Sequence, residues 1–174
     1  MQSTRTDFLL AILTWVDHAR ERYTHALGSD NPYWLVRTAH IQVVDKAPVL
    51  HKGDVAVTSL VASVGKTSMQ LEHELSQNGR VFARVRGTIV FVDDSHAKPR
   101  PISAASLARF RPQVQPSRFA AGGAVPMWTE RPAAAFAFPM TTRPSDLDTL
   151  WHVNNARYVP FFQDAKLLAW TALW

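Results

Sequence analysis

Residues 68–91 read Ser68-Met-Gln-Leu-Glu-His-Glu-Leu-Ser-Gln-Asn-Gly-Arg-Val-Phe-Ala-Arg-Val-Arg-Gly-Thr-Ile-Val-Phe91. Met69, Leu71, His73 and Leu75 alternate with Gln70, Glu72, Glu74 and Ser76. Val81, Ala83, Val85, Ile89 and Phe91 alternate in the same way with Arg84, Arg86 and Thr88. Successive side chains of a strand point to opposite faces, so a two-residue period marks a half-buried strand. Asn78-Gly79 joins the two runs, and Asn-Gly is a strong hairpin signal because both residues tolerate positive φ. The stretch is therefore expected to form an antiparallel hairpin.

Moving upstream, Val36 to Val44 and Val55 to Val64 are β-branched and mostly apolar, which predicts two further strands. Gly65-Lys66 sits at a joint between strands. Before them, Phe8, Ile12, Trp15, Val16, Ala19, Tyr23 and Leu27 recur at three- and four-residue steps, the stripe of an amphipathic helix. Asp17, Arg20, Glu21 and Arg22 fall largely off that stripe, and Gly28 is a suitable stop. Residues 1–97 thus predict one helix followed by a meander of about four long strands.

Downstream the composition changes. Eight of the eleven prolines lie between Pro99 and Pro144, with Gly122-Gly123 and many Ala among them. Residues 98–132 are expected to be a linker, partly extended by proline. Residues 133–142 are short, apolar and strand-like, with Pro139 confining them to an edge or a strand end. A polar turn follows, then a second helix from about Asn155 with Tyr158, Phe161, Phe162, Ala165, Leu168, Ala169 and Leu173 as its stripe. Pro160 is tolerable in its first turn, where amides have no intrahelical partner to lose. The two helices resemble one another at an offset of 146, Trp15 to Arg20 over Phe161 to Lys166. A repeat of that period would mean two copies of one domain, each cut differently.

Composition bounds the function. A chain of 174 residues suggests one domain, or one with an appendage, and 47% hydrophobic residues suffice for a core. The absence of cysteine excludes disulfides, a thiol nucleophile and Cys-ligated metals, and fits a reducing, cytoplasmic setting. No apolar run is long enough to span a membrane, and Met1 to Asp7 lacks a signal-peptide pattern. A net charge of +5 would attract nucleic acid, an acidic carrier protein or a phosphate-rich ligand. The strands carry no aromatic RNA-binding signature, so nucleic acid is not the expected partner.

Chemistry concentrates in Asp146-Leu-Asp-Thr-Leu-Trp-His-Val-Asn-Asn155. Two carboxylates, a histidine and two amides occur in ten residues at the entry to a helix. A helix N-terminus offers free amides and partial positive charge, which could polarise a carbonyl oxygen. Asp148 and His152, four apart, could act on one small group, with the carboxylate activating water or attacking directly. The same residues suit plainer roles: Asp148 in an Asx-turn, Asn154 or Asn155 as N-cap, His152 as a hydrogen-bonded structural residue. Other candidates are weaker. Val64-Gly-Lys-Thr-Ser68 resembles a phosphate loop, but Leu60 stands where that loop requires glycine, and the setting is a hairpin. Asp17, His18 and His25 read as a solvated helix face, and no metal or cofactor is expected.

The motif Asp-Leu-Asp-x-x-x-His-Val-Asn-Asn, followed by Tyr158 and an aromatic helix, resembles the signature of hotdog-fold acyl thioesterases. These include the 4-hydroxybenzoyl-CoA thioesterase-like family and the acyl-carrier-protein thioesterases. Trp34-Leu-Val-Arg37, Lys52-Gly-Asp54, Val64 to Ser68 and Phe91-Val-Asp93 resemble the family's strand, turn and hairpin segments. The resemblance implies an α+β hotdog, an antiparallel sheet wrapped around a long helix. Residues 1–97 would form an incomplete hotdog, and residues 133–174 the first strand, motif loop and helix of a second or permuted one, parts of a tandem double hotdog.

By the same resemblance, Asp148 matches the catalytic carboxylate, nucleophile or general base. His152 matches the histidine of the carrier-protein thioesterase motif, and the amide near Asn155 matches the donor to the thioester carbonyl. Asp146 and Asn154 match loop positions, and Asn154, Asn155, Trp151 and Tyr158 would line the substrate site. Trp151 stands where many members carry glycine, and Leu150 where the plant enzymes carry an asparagine proposed as catalytic. The first flank lacks the motif: the counterparts of Asp148, His152, Asn154 and Asn155 are Gln2, Thr6, Phe8 and Leu9. Asp45 is a candidate second carboxylate. The implied activity is hydrolysis of acyl-CoA or acyl-carrier-protein thioesters by a homodimer or larger homo-oligomer, with Arg100, Arg109, Arg111 and Arg118 available to CoA phosphates or an acidic carrier. The alternative is a non-catalytic hotdog that binds acyl groups, completes a partner's sheet or is a truncated remnant. Dehydratase chemistry, also found on this fold, is disfavoured by the placement of the motif at Asp148.

Overall fold

The structure, a computed structural model, describes residues 3–31, 33–45, 54–95, 98–119, 137, 139–148 and 151–172. Its elements are α1 (Ser3–Ala26), β1 (Trp34–Val43), β2 (Ala56–Val64), β3 (Ser68–Gln77), β4 (Arg80–Phe91), α2 (Ala104–Phe110) and α3 (Tyr158–Ala172). Short 3-10 turns cover Arg111–Gln113, Pro144–Asp146 and Asn155–Arg157. Two compact units emerge, Thr14–Ala120, and Met1–Leu13 with Ala121–Trp174.

The first unit is an antiparallel four-stranded sheet in the order β1-β4-β3-β2. Each strand lies within two residues of its expected bounds, because the period-2 pattern leaves only one register that buries one whole face. Asn78 (φ 51) and Gly79 (φ 75) make the tight β3–β4 turn as expected. Gly65 N–H donates to the Ser68 carbonyl at 2.8 Å, so the phosphate-loop look-alike is a hairpin turn.

One sheet face is apolar. Val61, Met69, Leu71, Ile89 and Phe91 are buried there, with Tyr23 and Leu27 of α1 packed against them. Trp15 meets Phe82 edge-on at 6.3 Å. The helix ends where Gly28 takes φ 70, a left-handed stop that a side chain would strain. Arg20, expected off the stripe, is only 4% exposed. It lies one turn from Val16 and from Tyr23, so helical geometry turns it inward. Asp17 pairs with it, and its guanidinium sits 5.1 Å from the Trp34 ring centre. Burial pulls the Arg20 pKa below its ordinary value, and the Asp17 charge opposes that shift.

His73, on β3, points to the same face and is 1% exposed. Its Nδ1 lies 2.8 Å from Ser59 Oγ on β2. Burial, reinforced by the Arg20 cation, pushes its pKa down to about 3. The unfolded chain takes up a proton near the ordinary 6.5, whereas the folded chain refuses it until about 3. Folding stability at this site is therefore complete above pH 6.5 and falls by about 1.4 kcal/mol per pH unit below it. Urea titrations at pH 7 and pH 5 are expected to show this loss, and His73→Gln is expected to remove that part of the slope. An unchanged slope in the variant would assign the acid sensitivity elsewhere.

The opposite face carries a charge ladder. Arg84 pairs with Glu74 and Arg86 with Glu72, each at 2.9 Å. Residues 98–119, expected in the linker, instead pack against both faces: Ile102 and Phe110 on the apolar one, and 117–119 on the charged one. Ser103 caps α2 by accepting the Ser106 N–H at 3.0 Å, and Asp30 accepts both the Ser103 and Ser106 hydroxyls. Ile102 and Phe110 are buried in the core, where Phe110 stacks on Phe91 with ring centres 6.1 Å apart. Beyond them, Val114 bridges Val61, and Gln115 N–H donates to the Val61 carbonyl. Glu72 accepts the Ser117 hydroxyl and the Arg118 N–H, while Phe119 lies under the Arg86 guanidinium at 4.5 Å. Burial pushes the Glu72 carboxyl up, but Ser117, Arg118 and Arg86 outweigh it and leave the pKa below its ordinary value. Proline content suggested an extended tether, but the large apolar anchors decide the packing.

The second unit contains α3. Residues 137 and 139–142 of the expected strand are in none, and residues 133–136 and 138 lie outside the described residues. Pro139 removes a ladder donor there. The α3 stripe is also less covered than expected: Phe162 is 71% exposed, and Tyr158 and Leu168 are exposed too. Among the described residues of this unit, no sheet strand flanks the helix.

Candidate active site

The ten-residue motif folds into a closed loop ahead of α3. Leu147 and Val153 pair as an isolated antiparallel bridge. Asp148 N–H donates to the His152 carbonyl at 2.8 Å, and Trp151 N–H donates to the Asp148 carbonyl at 3.1 Å. The Asp148 carboxylate accepts the His152 N–H at 3.1 Å through Oδ1. The loop therefore draws Asp148 and His152 together through the backbone. Both side chains are half-buried.

Asp146 and Asn154 frame this loop. Asp146 is buried, and its Oδ2 accepts the Arg143 N–H at 2.8 Å, closing the Pro144–Asp146 turn. Its carbonyl accepts the Asn154 N–H, and its carboxylate faces Arg157 Nε at 3.6 Å. Arg157 also donates to the Ser145 carbonyl. Asn154 Oδ1 accepts the Ala156 N–H at 2.9 Å, the geometry of an N-cap. The Asn154 side-chain oxygen is thus engaged in capping, the plainer of the two roles expected of it. Asn155 opens the 3-10 turn that runs into α3, so its amide belongs to the first helical turn, which has no intrahelical acceptor. Arg143 and Arg157 were not anticipated as parts of the frame. The Arg143–Asp146 spacing, three residues ending in an acid, was the available signal.

Trp151 adopts φ 61 and is 80% exposed. The left-handed region favours glycine, which explains why the related motif tolerates glycine there. Trp151→Gly is expected to stabilise the loop by up to about 1 kcal/mol, since little packing is lost from so exposed a ring. A urea midpoint that moves up agrees with this, and one that moves down assigns the ring a packing role. Tyr158 starts α3 and lies 6.2 Å from the Phe161 ring, edge-on. Asp45, two residues beyond β1, pairs with Arg80 at 2.6 Å, in the Thr14–Ala120 unit and not in the motif loop.

The sequence pattern of the thioesterase-like superfamily matches residues 10–110, and the chain belongs to that superfamily. Among solved structures, it resembles the 12:0-ACP thioesterase of Umbellularia californica, with a TM-score of 0.70 at 18% identity over 87% of this chain and 64% of that one. A protein designated an oleoyl thioesterase of Lactobacillus plantarum aligns with a TM-score of 0.65 at 18% identity, over 90% of this chain and 63% of that one. A thioesterase of Thermus thermophilus, solved with coenzyme A and Zn, aligns at 24% identity and a TM-score of 0.52, over 59% of this chain and 77% of that one. The fold is therefore an α+β hotdog, as the sequence motif implied. Among curated proteins, none matches the chain.

Proposed function

We propose that the protein hydrolyses acyl thioesters of coenzyme A or an acyl carrier protein. Superfamily membership supports the reaction class. The observation that carries the residue assignment is the closed loop that holds Asp148 against His152 at the entry to α3. In this reading the thioester carbonyl oxygen sits at the amides of the first turn, near Asn155, where partial positive charge stabilises the developing oxyanion. Asp148 either attacks the carbonyl carbon, expelling the thiolate and leaving an anhydride that water then cleaves, or takes a proton from the water that attacks, after which the thiolate leaves and is protonated. His152 orients the carboxylate through its amide. Trp151 and Tyr158 offer exposed aromatic surface beside the site. The net charge of +5 suits either phosphate-bearing partner.

One feature favours the rival, a non-catalytic acyl-binding subunit. At the sequence offset of 146, Gln2, Thr6, Phe8 and Leu9 stand where Asp148, His152, Asn154 and Asn155 precede α3. Thiol release from a panel of acyl-CoAs and acyl carrier proteins separates the two. Turnover supports hydrolysis, and binding without turnover supports the rival.

A further inference from the structure

A polar seam lies under α1 that the proposed chemistry leaves unused. His73 and Arg20 are both buried, and His73 Nε2 and Arg20 Nε find no hydrogen-bond partner among the described residues. His73 Nδ1 meets Ser59 Oγ at 2.8 Å. The ring is neutral, so one nitrogen carries the proton and the other is bare. A proton on Nε2 would leave a buried donor with no acceptor and a cation nearby. A proton on Nδ1 avoids that and donates to Ser59 Oγ, so we assign this tautomer. The Ser59 hydroxyl proton must then point elsewhere.

Ser59 also lines an open groove of about 530 Å3 between α1 and β2. Trp15, Tyr23, Val55 and Val57 supply its apolar surface, and the exposed His18 and Arg22 line it too. A hydroxyl free to donate beside apolar side chains, with a cation at the edge, is complementary to an amphiphile that has an anionic end and one oxygen on its chain. A plain alkyl chain would cover the hydroxyl and leave it unsatisfied.

We propose that this groove binds medium-chain carboxylic acids selectively when the chain bears a hydroxyl or keto oxygen, which accepts the Ser59 O–H. Binding of a free acid requires neither Asp148 nor turnover. The two readings can therefore fail separately.

Isothermal titration of the full chain with decanoate, 3-hydroxydecanoate and 10-hydroxydecanoate tests it. One hydroxylated acid is expected to bind about tenfold more tightly than decanoate, the range of one well-made buried hydrogen bond. Ser59→Ala is expected to abolish that preference while still binding decanoate, and Ser59→Thr to restore it. Equal binding of all three acids, a preference that survives in Ser59→Ala, or no binding would overturn the proposal. So would a groove closed by a second copy of the chain, seen as acid binding that strengthens on protein dilution.

Discussion

Phe110→Ala is expected to destabilise the Thr14–Ala120 unit by about 3–5 kcal/mol, the range for emptying a large aromatic site in a packed core. Phe110 is fully buried, stacks on Phe91 and belongs to the same cluster as Met69, Leu71 and Ile89. Its removal loses transfer energy and leaves a cavity that the sheet, constrained by its ladders, cannot easily close. The result also bears on where the domain ends. If residues 98–119 are part of the fold, the urea midpoint falls sharply. If they are a tether, the change stays within about 0.5 kcal/mol, as for an exposed substitution.

Asp148→Asn is expected to lower kcat for thioester hydrolysis by roughly 10²–10⁴-fold with little change in KM. Asparagine keeps the shape and an oxygen that can still accept the His152 N–H, so the loop should stay closed. It loses the negative charge that attacks the carbonyl or takes the proton from water. Thermal melting of the variant checks that the fold is intact. Activity retained within a factor of about three would remove Asp148 from the chemistry.

Much of the first unit was legible because its signals are local. Alternation in residues 68–91, the Asn78-Gly79 turn and the Gly28 stop each follow from backbone geometry within a few residues. The failures involve distance. Arg20 looked solvent-facing because charge was weighed above helical position; its partner Asp17 lies one turn away on the same helix, whereas Trp34 becomes visible only when the helix meets the sheet. Residues 98–119 looked like linker because prolines are conspicuous, whereas Ile102 and Phe110 are single anchors without a period to announce them. At the site, the motif placed Asp148 and His152 in one loop, but it did not separate ligand contacts from scaffolding. Asn154 turned out to cap the following turn, and Asp146 to brace it through Arg143 and Arg157. The special backbone of Trp151 was hinted at only by the glycine common in the related motif.

The central claim, that the loop before α3 serves thioester hydrolysis, is tested most directly by following free thiol as the purified chain meets acyl-CoAs of graded length, beside Asp148→Asn. Thiol release well above the uncatalysed rate with at least one substrate, and near-background release from the variant, are expected. Saturable acyl-CoA binding with no thiol release, or release that the substitution leaves unchanged, would contradict it.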